Sequence, residues 1–128
     1  MKLNIVLNNY LSFSASARSK FYQKINIMSL KKKFLKSKPI CKVTFSLPLA
    51  AADGAKQVKL VGDFNNWKWK KGIPMKKING QLQTTVELEK DKQYQFRYLM
   101  DNQIWENDWA ADDYEQSPYG TTNSVVTT

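Results

Sequence analysis

The stretch Asn79-Gly80-Gln81-Leu82-Gln83-Thr84-Thr85-Val86-Glu87-Leu88-Glu89-Lys90-Asp91-Lys92-Gln93-Tyr94-Gln95-Phe96-Arg97-Tyr98-Leu99-Met100-Asp101 carries the clearest pattern in the chain. Asn-Gly is the strongest short hairpin signal, because a type I′ turn needs positive φ at both central residues. Leu82, Thr84, Val86 and Leu88 then alternate with polar side chains, the period of a half-buried strand. Lys90-Asp91-Lys92 turns the chain again. Beyond it, Tyr94, Phe96, Tyr98 and Met100 fall on one face of a second strand, and Gln95, Arg97, Leu99 and Asp101 on the other.

The same texture extends outward. Val43, Phe45 and Leu47 alternate with Lys42, Thr44 and Ser46 up to Pro48. Ala50 to Ala55 reads as a loop. Val58 to Phe64 predicts another strand, closed by the turn signal Asn65-Asn66. Ile73 to Ile78 predicts one short strand, and Pro74 assigns it to an edge, since proline donates nothing to a ladder. Asp101-Asn102 is a further turn, followed by short strands over Ile104–Asn107 and Asn123–Thr127. No amphipathic helix is found in residues 40–128. Short strands with turns every ~8–12 residues predict an all-β fold, an antiparallel immunoglobulin-like β-sandwich of about seven strands.

With 128 residues there is room for one domain. The chain is too short for a barrel glycosidase, which needs roughly 250 residues. It has no apolar run near the ~20 residues that span a bilayer. The absence of histidine removes Ser-His-Asp and Cys-His catalysis and most zinc sites. The single Cys41 allows no intramolecular disulfide and no cysteine metal cluster, and a lone thiol fits a reducing, cytoplasmic setting. We expect no metal, no cofactor and no membrane partner.

The net charge of +9 is unevenly spread. Residues 1–38 hold nine basic side chains and no acid, whereas residues 39–128 hold eleven of each. The basic character therefore belongs to an N-terminal extension, residues 1–39, and the domain of residues 40–128 is neutral, which argues against a nucleic-acid-binding face. Residues 1–38 show no clean period and are expected to be disordered or irregular. The opening run Leu3–Leu7 has the start of a signal peptide, but Asn8 and Asn9 interrupt it. Met28-Ser29-Leu30 followed by lysines would itself make an ordinary N-terminus.

All four tryptophans lie between positions 67 and 109. Trp67 and Trp69 sit among Lys68, Lys70 and Lys71, and Trp105 and Trp109 flank Glu106, Asn107 and Asp108. An exposed indole is a poor choice unless it meets a flat partner. The C–H face of a pyranose is one such partner, and nearby Asn, Asp and Arg side chains can bond its hydroxyls. Protein contact and plain packing at the ends of the sandwich are the other uses these rings could have.

Val58-Lys59-Leu60-Val61-Gly62-Asp63-Phe64-Asn65-Asn66-Trp67 resembles the VxLxGxFNNW segment of the family-48 carbohydrate-binding modules. That family includes the N-terminal early set domain of isoamylases and the glycogen-binding domain of the AMP-activated protein kinase β subunit. Pro74-Met75, Tyr94 to Asp101, Trp105-Glu106-Asn107-Asp108 and Gly120 to Val126 follow in family order, so the resemblance covers about residues 41–128. It implies a β-sandwich that binds α-1,4-glucan without catalysing its cleavage. It further implies two tryptophans, Trp67 and Trp105, that bracket the glucan, with Arg97 and Asn123 bonding its hydroxyls and Tyr119 and Thr121 lining the site. The implied partner is an α-glucan polysaccharide or maltooligosaccharide. A module that docks to a glycogen-metabolising enzyme or kinase is the alternative. The chain departs from the family pattern in three places: Asp101-Asn102 for Asp-Gly, Leu82 where a Trp often stands, and Trp109 for a Pro. Asp63, Asp101 and Asp108 suggest a paired-carboxylate glycosidase, but nothing in the sequence supplies the cleft such a pair needs.

Overall fold

The computed structural model describes residues 14, 29–52 and 54–128. These residues contain ten strands in two antiparallel sheets: β1 (Ser29–Phe34), β2 (Ile40–Pro48), β3 (Val58–Gly62), β4 (Ile73–Pro74), β5 (Lys76–Ile78), β6 (Gln81–Glu89), β7 (Gln93–Met100), β8 (Ile104–Glu106), β9 (Asp113–Gln116) and β10 (Thr122–Thr127). One sheet has the order β1-β2-β6-β5. The other runs β4-β3-β7-β10-β9, with β8 also paired to β7. Among the described residues no helix is long and apolar enough to cross a membrane.

The alternation read from the sequence decides which face is buried. Cys41, Val43, Phe45 and Leu47 point inward from β2 and meet Leu60, Phe96, Tyr98, Met100 and Val126 of the other sheet. Phe45 and Phe96 join the two sheets directly, edge to face, with ring centroids 4.9 Å apart. Each such buried aromatic contributes about 1.5–3 kcal/mol of transfer free energy. Phe64 packs partly buried against this core, 6.0 Å from the Phe45 ring.

The hairpin turn forms as expected, with φ of 50° at Asn79 and 75° at Gly80. The expected strand 73–78 is divided between the sheets. Ile73 and Pro74 pair with Leu60 and Lys59 of β3, while Lys76–Ile78 pair with β6. Pro74 has no N–H to extend its ladder, and Met75, buried between the two pieces, carries the chain across. Both pieces are edges. The loop expected after Pro48 contains a 3-10 turn, Leu49–Ala52, whose last two alanines are buried.

A larger correction concerns residues 29–34, read above as part of the irregular extension. They form β1 and pair with β2 along their whole length, from Ser29 opposite Ser46 to Phe34 opposite Cys41. The inward positions are Leu30, Lys32 and Phe34, so a lysine breaks the apolar period and hides the strand from a pattern search. Lys32 reaches the other sheet's side of the sandwich, where its Nζ lies 2.7 Å from Asp112. An inward-facing lysine is also a recognised way to blunt an edge strand against pairing with other chains. The expectation for residues 1–28 lies outside the described residues apart from Ser14. β9 was not anticipated either; only Tyr114 of its four residues is buried.

Candidate functional site

The site is built on the outward face of β7. Alternation aims Gln95, Arg97 and Leu99 away from the core. Neighbouring strands add Val61 of β3, opposite Arg97, and Trp105 of β8, opposite Leu99.

Trp67 reaches this face through a tight turn. At Gly62 an added Cβ would stand 2.4 Å from the Gln95 carbonyl oxygen, so only glycine lets β3 approach β7 this closely. Asn65 Oδ1 accepts the Gly62 N–H at 2.9 Å and folds the chain into the 3-10 turn Asp63–Asn65. Asn66 and Trp67 then both adopt left-handed backbone, with φ of 55° and 57°. For a side chain as bulky as tryptophan this costs about 1–2 kcal/mol. Asp63 helps hold the strained residue in place. Its Oδ1 accepts the Trp67 indole N–H at 2.8 Å, and its Oδ2 accepts the Gln95 backbone N–H at 2.7 Å.

Trp105 comes from the opposite flank of β7 and is 40% exposed. The Trp67 and Trp105 ring centroids lie 6.4 Å apart at an interplanar angle of 50°. At this separation the rings touch each other. The two rings therefore form one angled aromatic surface, a platform over β7. The turn Asp101-Asn102 that feeds β8 survives the loss of the family's glycine, because both residues adopt positive φ, 49° and 55°.

Arg97 lies beside the platform, half-buried. Its Nε donates to the Thr122 carbonyl oxygen at 3.1 Å, and burial lowers the guanidinium below its ordinary range without threatening its charge. Asn107 Nδ2 donates to the same oxygen at 2.8 Å, which ties Arg97 to the segment after Trp105. Asn123 is nearly buried, and its Nδ2 donates to Gln95 Oε1 at 3.0 Å. Gln95 thus links two hydrogen-bonded pieces, its backbone N–H bonding the Asp63 that holds Trp67 and its side chain bonding Asn123. Tyr119 stands at the tip of the β9–β10 loop, 91% exposed, and the Thr121 hydroxyl shares a 2.7 Å hydrogen bond with Ser117. The structure thus brings Trp67 and Trp105 together over β7, with Arg97 and Asn123 on the same sheet face. It places Tyr119 and Thr121 on the loop that leads into β10.

Asp63, Gln95 and Asn107 were not singled out as part of the site from the sequence. Gln95 was within reach, since alternation puts it on the face of Arg97. Asp63 was not, because its role depends on the turn that returns Trp67 over it. All three suggestive carboxylates are engaged structurally. Asp63 holds Trp67 and β7. Asp101 Oδ1 accepts the backbone N–H groups of Lys56 and Gln57 at 2.9 and 3.0 Å. Asp108 is fully buried, with Oδ2 accepting the Tyr98 hydroxyl at 2.8 Å and its backbone N–H donating to Ser124 Oγ at 2.8 Å.

No curated protein gives a significant match to the chain. A family model, described as the glycogen recognition site of AMP-activated protein kinase, matches residues 46–128. The match begins late in β2, includes every residue of the platform and its hydrogen-bonding neighbours, and leaves out β1. On that match the chain belongs to this glycogen-recognition family, a family of non-catalytic carbohydrate-binding modules.

Proposed function

We propose that the protein binds α-1,4-glucan and does not cleave it. The angled contact of Trp67 and Trp105 over β7 carries this reading. Two indoles fixed at 50° offer adjoining apolar faces to successive glucose rings of a curved chain. Arg97, through its guanidinium nitrogens beyond Nε, and Asn123, through its carbonyl oxygen, supply hydroxyl contacts at the rim. Tyr119 and Thr121 extend the site along the loop into β10. With two rings and a few polar groups on an open face, the dissociation constant for maltoheptaose should fall between about 10 µM and 1 mM.

The test is isothermal titration with maltoheptaose beside thermal melts. Trp67→Ala should cost about 2 kcal/mol of binding, roughly thirtyfold in Kd, while the fold survives. Trp69→Ala, at an exposed ring outside the Trp67–Trp105 contact that carries the Lys70 ammonium, Nζ 5.5 Å from its centroid, should change the affinity for this neutral ligand by less than about 0.5 kcal/mol. Full retention of binding in Trp67→Ala would place the site elsewhere.

A second reading is docking to a glycogen-metabolising enzyme or kinase, for which a separate concave surface is present. A cleft of about 490 Å³ opens where β3 begins, at the opposite end of that strand from Trp67, with Leu49, Ala52, Val58, Met75 and Leu82 in its wall. A glucan gel shift with the protein alone separates the readings, since a pure docking module would not be retarded.

A further inference from the structure

The neutrality of the domain conceals a separation of charge. Residues 40–84 carry eight basic and two acidic side chains, and residues 85–128 carry three basic and nine acidic. Part of the basic half is concentrated beside the tryptophan platform. Immediately after Trp67 the chain reads Lys68-Trp69-Lys70-Lys71-Gly72, with a 3-10 turn over Trp69–Lys71.

This turn is held against the face that carries the site. A Cβ at Gly72 would lie 2.9 Å from Lys59 Cβ and 3.0 Å from Val61 Cγ2, so the turn lies directly on the outward side chains of β3. The Lys59 stem runs along it, with Cδ 3.1 Å from the same point. Lys68, Lys70 and Lys71 are exposed, and Trp69 is 42% exposed beneath the Lys70 ammonium. The ion pairs among the described residues use Lys32, Lys42 and Lys92, so none engages the lysines of this turn. The one acid nearby in sequence, Asp63, has both carboxylate oxygens committed to Trp67 and Gln95. Four basic side chains with no carboxylate paired to them among the described residues thus share one flank, an arrangement that suits a bound anion.

We infer that the flank Lys59, Lys68, Lys70 and Lys71 is an anion subsite of the glucan platform, and that the preferred ligand is an α-glucan bearing phosphate monoesters. This rests on the glucan reading above and names its substrate class more closely. A phosphate monoester carries about −1.5 to −2 charges near neutral pH and offers three acceptor oxygens, which suits several flexible ammonium donors around an exposed ring. The Trp67–Trp105 platform would hold the glucose rings while the turn reads the ester on a neighbouring residue of the same chain.

The experiment compares the full chain's affinity for a phosphorylated α-glucan with that for the same glucan after phosphatase treatment. At about 50 mM salt the phosphorylated form should bind roughly fivefold more tightly, the sum of two or three exposed ion pairs. At about 500 mM salt that preference should vanish while the affinity for the dephosphorylated glucan holds, because only the ester contacts are screened. The triple variant Lys68→Ala, Lys70→Ala, Lys71→Ala should bring the ratio of the two affinities to one. The triple variant Lys31→Ala, Lys33→Ala, Lys36→Ala removes equal charge from exposed positions at the other sheet's edge, and should keep the ratio. No preference in the parent protein, or equal loss of preference in both variants, would overturn the subsite. Failure to bind either glucan would instead overturn the glucan reading itself.

Discussion

At the residue scale, the placement of Trp67 rests on one carboxylate. Asp63 accepts two N–H donors at once, from the Trp67 indole and from the Gln95 backbone. An asparagine in its place has a single acceptor oxygen and would turn an N–H₂ toward one of the two donors. Asp63→Asn should therefore lose at least one charge-assisted hydrogen bond, about 1.5–3 kcal/mol of stability. Because the lost bond fixes a tryptophan in left-handed backbone, maltoheptaose affinity should fall with it, by roughly tenfold. Thermal melts and titration calorimetry of the same sample check both effects. Unchanged affinity with lowered stability would show that Asp63 supports the sheet and not the platform.

At the element scale, β1 extends the paired structure beyond β2. It adds six paired residues to the edge of β2, packs Leu30 on the core and links to Asp112 through Lys32. Leu30 is partly buried and contributes less than the ~1.5–3 kcal/mol of a fully buried leucine, and the ion pair adds about 1 kcal/mol at most. We expect a chain beginning at Met28 to melt with the full chain, and one beginning at Ile40 to melt about 10 °C lower. Equal melting temperatures for the two truncations would mean that β1 contributes nothing. The ladder alone does not reveal this strand's worth. Its value lies in Leu30, the one inward position where an apolar side chain is packed against the core.

At the scale of the whole molecule, a buried polar cluster around Asp108 predicts the response to alkali. The Tyr98 hydroxyl donates to Asp108 Oδ2, and the Tyr114 hydroxyl donates to the Asp108 carbonyl oxygen, both at 2.8 Å. Burial first, and the charge of Asp108 second, push both phenols well above their ordinary range. The folded state therefore keeps protons that the unfolded state releases above about pH 10. With fewer protons bound on unfolding, stability falls as pH rises, by about 1.4 kcal/mol per pH unit for each tyrosine. Their contribution is complete below about pH 10 and is lost progressively above it. Denaturant unfolding between about pH 8 and 11 should show the decline. Tyr98→Phe should lower stability at neutral pH, since Asp108 loses a donor, and should also make the alkaline decline shallower. An unchanged alkaline slope in Tyr98→Phe would exclude this hydroxyl as the cause.

Much of the sandwich was legible in the sequence because its strands obey local rules. β2, β6 and β7 alternate cleanly, Asn79-Gly80 specifies its own turn, and Pro74 marks an edge wherever that edge lies. The tryptophan-bearing segment was legible for the same reason, since Gly62 and Asn65-Asn66 form a turn within a few residues. What stayed hidden depends on contacts between distant residues. Lys32 stands at an inward position through its register with β2, and Asp112, far along the chain, receives its charge there. The strand 73–78 divides because two sheets compete for it, and no local pattern records that competition. The resemblance implied that Trp67 and Trp105 act together, and how closely the two rings approach is decided by the angle at which β3 and β8 approach β7. That angle follows from the closeness permitted at Gly62 and from packing across the whole sheet, a property that comes into being only when the sheet has formed.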